Sequence, residues 1–314
     1  MIDYMSAVNY RLSFSISEQQ CMNTFMNGGP YWHLCTPGQY TEILCESEED
    51  YKFYMNLIAI CAALSGVIIL TFQVMSNHFH FILEASEEEC KDFFNRLKNR
   101  MLRYYPLSGR NKDLKQFNEK ILAIDNLESL RNEIVYSNRN GYLVDSRYTP
   151  FSYPWGAGYA YYNCLSGIEN YKRFMDLTDR DKKALCRSRV LELPKEYRVQ
   201  NGIIVPESYC NIKKGEALFR SANHYFSKIS KNYEAYSAVA KALGENIVLT
   251  DDEMFSIISA KSKREYGENR PSRLSQNVKL DYARFMRQDY FASEGQIHRI
   301  LALDLSVIRE LFGH

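Results

Sequence analysis

No Cys-x-x-Cys pair occurs in this chain: its eight cysteines, Cys21, Cys35, Cys45, Cys61, Cys90, Cys164, Cys186 and Cys210, are scattered singly. That spacing gives no support to a zinc finger or a dense disulfide framework, and it suits reduced thiols in a cytoplasm. An excess of charge of one sign is also lacking. The formal net charge is +1, so partners are not legible from the overall balance and charge has to be read by segment. The start, Met1-Ile2-Asp3-Tyr4, lacks a basic region followed by an apolar one, and secretion is not signalled. Histidine is scarce, with six in 314 residues. Core-forming material is plentiful: 46% of residues are hydrophobic and 14% aromatic, which suits two globular domains and excludes a disordered chain.

Residues 54 to 75 carry no charge, the length of a membrane span. Ser65-Gly66 splits that run into an Ala/Leu/Met-rich half and a β-branched half, so a helix followed by a buried strand accounts for it and no membrane partner is expected. Around it, residues 31 to 36 read as a strand ended by Pro37-Gly38, and Ser47-Glu48-Glu49-Asp50 opens a helix running to about Leu64. Strands follow at about 67 to 75 and 78 to 84, then a helix over 87 to 105 closed by Pro106. The order β-α-β-β-α is most of a ferredoxin-like split βαβ sandwich, in which helices cover one sheet face and leave the other for a ligand. The predicted class is therefore α+β, with an antiparallel sheet in residues 1–165 and a mostly helical region over 166–314.

Two of the six histidines fall together in Met75-Ser76-Asn77-His78-Phe79-His80-Phe81. On a strand the side-chain period is two, so His78 and His80 share one face and Phe79 and Phe81 the other. Adjacent imidazoles on a rigid strand are preorganised ligands for a divalent metal. A later helix is expected from Asp125, with Asp125 and Glu128 in a capping-box-like start and Gly141 as its stop. Its apolar stripe is Leu127, Leu130 and Ile134; Tyr136 lies roughly 200° around from Ile134, off that stripe, and shares its face with Asn140.

Basic residues cluster in two places, one in the second helix and its sequel and one between Lys261 and Arg287. Arg96, Lys98, Arg100 and Arg103 lie in the second helix, where a solvated face and a nucleic-acid surface are both open readings. The aromatic stretch 145 to 165, including Tyr148, Phe151, Tyr153 and Trp155, reads as a loop packed on the first domain in preference to a base-stacking platform. Near the end, a capped short helix over 293–301, a brief turn and a second helix after Asp304 fit a helix-turn-helix at about 292–312, with Gln296 and Arg299 as candidate DNA contacts. A plain helical hairpin would give the same pattern.

Three blocks resemble the single-tyrosine HUH transposases, the family of small insertion-sequence and REP-associated tyrosine transposases. They are Tyr31-Trp32-His33-Leu34 through Glu49-Asp50-Tyr51-Lys52-Phe53; Val74 through Leu83; and Tyr136-Ser137-Asn138-Arg139-Asn140-Gly141 with Tyr153-Pro154-Trp155. The second is similar to the family's most diagnostic motif, with Ser76 where Pro is usual; Gly141 also stands where the family usually has Pro. The resemblance covers roughly residues 25 to 165. It implies an HUH nuclease domain in which His78, His80 and the amide oxygen of Asn140 hold Mg²⁺ or Mn²⁺ and Tyr136 is the nucleophile. The implied activity is cleavage and rejoining of hairpin-bearing single-stranded DNA through a 5′-phosphotyrosine link. It further implies a cytoplasmic, nucleoid-associated protein acting as a monomer or a homodimer. A non-catalytic DNA-binding relative and an HUH relaxase or replication initiator remain as alternatives.

Overall fold

Serine starts three helices by the same local chemistry. In α1 (Glu18–Met26), α2 (Glu48–Ser65) and α3 (Glu87–Leu107), the hydroxyl of Ser17, Ser47 or Ser86 accepts a hydrogen bond from the backbone N–H three residues on. Gln20, Asp50 or Glu89 at that position accepts one back from the serine N–H. Gly66, with φ 76°, ends α2 in the left-handed conformation that costs glycine least. These features belong to a computed structural model that describes residues 15–36, 38, 43–115, 117–143, 148, 152–163, 171–187, 192–231, 239, 249 and 251–313. It is a mixed α+β structure with two compact units, Met1–Ser230 and Lys231–His314. The two units therefore part at 230/231, not near 165; Cys164 and the expected boundary itself lie outside the described residues, as does Phe151.

In the first unit, β1 (Tyr31–Cys35), β2 (Ile68–Val74), β3 (Phe79–Glu84) and β4 (Lys120–Ile124) form an antiparallel sheet in the order β2-β3-β1-β4. The short strand β4 was not anticipated: Lys-Ile-Leu-Ala-Ile offers little alternation, and its pairing with β1 is what makes it a strand. Helix α4 (Leu127–Leu143) follows. Its first turn is capped by Asn126, whose side chain accepts from Ser129 N at 2.8 Å, so Asp125 is not the cap. Gly141 does not stop it either. A Cβ there would lie 2.5 Å from Tyr153 Cδ1 and 2.8 Å from Gln73 Oε1, so this glycine serves close packing within the helix.

One sheet face is apolar. Phe81 meets Phe93 of α3 edge to face, Phe79 meets Tyr54 of α2 and Phe117, and Phe72 stacks near Phe81. The uncharged half of α2 is buried on its outer side as well. Ala59 and Ile60 share a core with Phe174, Cys186, Leu193, Tyr197, Val199 and Ile204, brought there by a small sheet of β5 (Lys172–Arg173), β6 (Arg198–Gln200) and β7 (Ile203–Ile204) and by α5 (Asp179–Cys186). Asn56, 3% exposed, is the polar pin of this contact: it donates to Gly202 O and Leu185 O and accepts from Ile204 N at 2.7 Å. Segments beyond 165 thus cover α2, which is why the unit continues to 230. Among the described residues no helix is long and apolar enough to cross a membrane.

The loop after α4 closes the free edge of β2. Val74 N donates to Trp155 O at 2.8 Å and Ala157 N to Phe72 O at 3.0 Å, while Tyr153 and Tyr161 donate their hydroxyls to Val74 O and Leu70 O. Trp155 stacks on Tyr51 at 5.0 Å. These aromatics are spent on packing. Helices α6 (Ile212–Glu216) and α7 (Ala222–Lys231) complete the unit's described elements. The second unit is built from α8 (Asp251–Tyr266), α9 (Gln276–Tyr290), α10 (Glu294–Leu301) and α11 (Leu305–Phe312), packed around Met254, Ile258, Met286, Ile297, Leu301 and Ile308. Ser293 caps α10, and Ala302 in the left-handed region turns the chain into α11.

Candidate functional site

The second sheet face carries a row of buried polar side chains. Register fixes it: Cys35 lies opposite His80 and Gln73 opposite His80 on the other side, while His33 and Thr71 both lie opposite Ile82. Thr71, Gln73, His80 and His33 therefore point to one side, away from Phe72, Phe81 and Leu34, and none exceeds 1% exposure. This face is not left open, as the sequence had led us to expect. Helix α4 lies across it, presenting Glu133, Tyr136, Ser137, Asn138 and Asn140.

The spacing of these residues explains the fit. Positions 133, 136, 137 and 140 recur at three and four residues, so they form one helical stripe facing the sheet. Glu133 Oε2 is 2.6 Å from His33 Nδ1; His33 Nε2 is 3.0 Å from His80 Nδ1; His80 Nε2 is 3.4 Å from Asn140 Nδ2. Tyr136 stands edge-on to His80, ring centroids 5.7 Å apart, and 6.3 Å from the His33 ring. Further along, Asn138 accepts from Thr71 and donates to the Tyr225 hydroxyl at 2.8 Å. Tyr136 is itself 5% exposed, so its place off the apolar stripe does not display it to solvent. The helix is buried on its other side too, where Val135 and Ile134 pack into the core.

His78 precedes β3 rather than sitting in it, and it is half-buried while His80 is fully buried. The two rings remain adjacent, 5.0 Å apart and nearly perpendicular. Asn77 donates to Gly38 O at 2.7 Å, which turns its Oδ1 toward His78 Nδ1 at 2.8 Å. An amide oxygen only accepts, so His78 donates from Nδ1. Burial, and then the neighbouring His33, push the pKa of His80 well below the usual imidazole range, which favours the uncharged ring.

Among the described residues no group of three or more His, Cys, Asp or Glu side chains is placed to hold a metal ion. The donors that converge here are two imidazoles and one carboxamide. Such a set is chemically suited to an open site, since amide oxygen matches hard divalent ions and imidazole matches transition ions, so Mn²⁺ is the better probe of the two. Asn140 presents its nitrogen to His80, and ligation through its oxygen takes a half-turn of the carboxamide.

The expected DNA contacts fall elsewhere. Arg96, Lys98, Arg100 and Arg103 lie on α3, which packs through Phe93 on the apolar sheet face, so they are across the sheet from His80. Arg96 pairs with Asp92 at 2.6 Å and Lys98 donates to Asn118 at 2.9 Å. In the second unit Gln296 is only 9% exposed and donates to Leu249 O at 3.0 Å; it faces the core, not solvent. Arg299 is exposed and grips Asp251 with two guanidinium nitrogens. His33 and Glu133 were not singled out from sequence. A polar residue inside Tyr31-Trp32-His33-Leu34 and a carboxylate three residues before Tyr136 were the available signals. No protein-family model and no curated protein matches this chain.

Proposed function

We propose that the first unit is a metal-dependent nuclease domain of the single-tyrosine HUH kind, which cleaves and rejoins single-stranded DNA bearing hairpins. Support comes first from topology: the order β-α-β-β-α-β along the chain and β2-β3-β1-β4 across the sheet is compatible with a ferredoxin-like split βαβ arrangement. The observation that carries the reading is convergence. Residues about 60 positions apart in the chain, His80 with Tyr136 and Asn140, meet on one polar sheet face within a few ångströms.

His78, His80 and the amide of Asn140 would hold the ion. A bound Mg²⁺ or Mn²⁺ would supply electrostatic polarisation of the scissile phosphodiester. Tyr136 attacks phosphorus, a Tyr–O–P bond forms to the 5′ side, the P–O bond to the 3′ oxygen breaks, and the phenolic proton is lost as the 3′-hydroxyl is gained. A tyrosine hydroxyl ordinarily titrates near pH 10, so the site has to assist that proton's departure. Reversal by another 3′-hydroxyl rejoins the strand with the phosphate bond energy conserved in the tyrosyl link.

A second reading, a DNA binder of the same fold without turnover, is favoured by one observation: Tyr136 is nearly covered, at 5% exposure. One experiment separates them. Purified protein with Mn²⁺ and labelled hairpin oligonucleotides should give a covalent adduct on denaturing gels, and Tyr136→Phe should give none. An adduct that survives Tyr136→Phe rules out this nucleophile, and no adduct with any hairpin probe favours the binder.

A further inference from the structure

The polar layer contains a chain of hydrogen bonds with both ends chemically fixed. At one end is the Glu133 carboxylate, which when ionised only accepts; His33 Nδ1, 2.6 Å away, must donate to it. In the neutral ring that leaves His33 Nε2 as an acceptor. His80 Nδ1, 3.0 Å from it, is then the donor, and the lone pair of His80 is left on Nε2. At the other end the Asn140 amide nitrogen, which only donates, faces that same Nε2 at 3.4 Å. Every member therefore points the same way: Asn140 to His80, His80 to His33, His33 to Glu133.

We propose that His33 and Glu133 are positioning residues, which lock the ring orientation and tautomer of His80 so that Nε2 is the nitrogen offered toward Asn140 and Tyr136. The inference rests on the nuclease reading for what that nitrogen binds, but the tautomer itself is a property of the metal-free protein. Register explains how the device is built. His33 and His80 sit on neighbouring antiparallel strands and point to the same face, two residues out of direct opposition, since His80 lies across from Cys35 and Ile82 across from His33. That diagonal offset allows one ring to reach the next along the pleat. Both rings are completely buried, so no solvent replaces the bond between them. Glu133 is anchored on α4 three residues before Tyr136 and seven before Asn140, so the same helix carries the far end of the relay and the groups that the relay serves. His78 has its own counterpart in Asn77, whose oxygen accepts from Nδ1. Outer partners of this kind are commonly worth 10–100-fold in metal affinity.

The test uses the full chain labelled with ¹⁵N-histidine and long-range ¹H–¹⁵N spectra of the metal-free protein, with Mn²⁺ titrations alongside. In the wild type His80 should carry its proton on Nδ1. Glu133→Leu, at a partly exposed position and checked for folding by its circular dichroism, should mix the His80 tautomers and weaken Mn²⁺ binding by about 10–100-fold. Glu133→Gln, whose carbonyl oxygen can still accept from His33, should restore both; His33→Phe should behave like Glu133→Leu. A wild-type His80 protonated on Nε2 would overturn the relay, and so would unchanged Mn²⁺ affinity in folded Glu133→Leu with the wild type binding normally. Wild-type protein that binds no Mn²⁺ would refute the metal-site reading and the positioning role together, a result distinct from loss of the relay alone.

Discussion

Acid should weaken the first unit through one carboxylate. Asp50, 1% exposed, accepts from Arg110 Nη1 at 2.8 Å, from Tyr104 Oη at 3.0 Å, and from the backbone of Glu46 and Ser47 at 3.0 and 3.1 Å. Burial alone would raise its pKa; the hydrogen bonds from Arg110, the Glu46 backbone, Tyr104 and Ser47 outweigh burial and hold it at about 2. An unfolded aspartate titrates near 3.9, so the folded state binds fewer protons between the two values. The resulting stabilisation, about 2.5 kcal/mol, is present above about pH 4 and is lost as pH falls through about 2. Asp50→Asn removes it at every pH and leaves Arg110 without its main carboxylate, for a total of about 3 kcal/mol at pH 7. Urea unfolding followed by tryptophan fluorescence suits the measurement, because the two tryptophans, Trp32 and Trp155, both lie in this unit. The gap between wild type and Asp50→Asn should shrink by about 2 kcal/mol from pH 5 to pH 2. A gap that stays constant over that range would refute the argument.

Two other substitutions test the packing. In Gly156→Ala the new Cβ would lie 2.0 Å from Gln73 Oε1 and 2.6 Å from the backbone oxygen of Phe72, which cannot step aside. The expected loss is about 1–3 kcal/mol, read as a lowered melting temperature with altered Trp155 fluorescence; an unchanged melting curve would mean the loop does not clamp β2 as described. Gln296→Leu should destabilise the second unit by about 1 kcal/mol through loss of the bond to Leu249 O and leave affinity for hairpin DNA unchanged in the folded protein. Weaker DNA binding at full stability would show that the side chain contacts DNA after all.

Some of this protein could be read without coordinates, because it depends on neighbours in sequence. Serine boxes at Ser47 and Ser86 set helix starts through bonds spanning three residues, Gly66 ends a helix by its own backbone freedom, and alternation through Phe79, His80 and Phe81 assigns faces to a strand. The shared face of Tyr136 and Asn140 likewise follows from helical spacing alone. Local rules failed where two signals competed. Gly141 looked like a helix stop, yet the closeness of Tyr153 and Gln73 requires a glycine inside the helix.

Only the tertiary structure decided what surrounds those elements. Pairing made β4 a strand, the sheet of β5 to β7 buried the outer side of α2, and α4 covered the polar sheet face that the sequence left open. His33 and Glu133 are 100 residues apart and meet solely because β1 lies beside β3 beneath α4. Gln296 turned inward for the same kind of reason, an acceptor at Leu249 contributed by another part of its unit. Spacing along a chain determines which side chains share a face; which faces meet is settled by long-range burial, and the hydrogen-bonded polar layer exists only once that burial has excluded water.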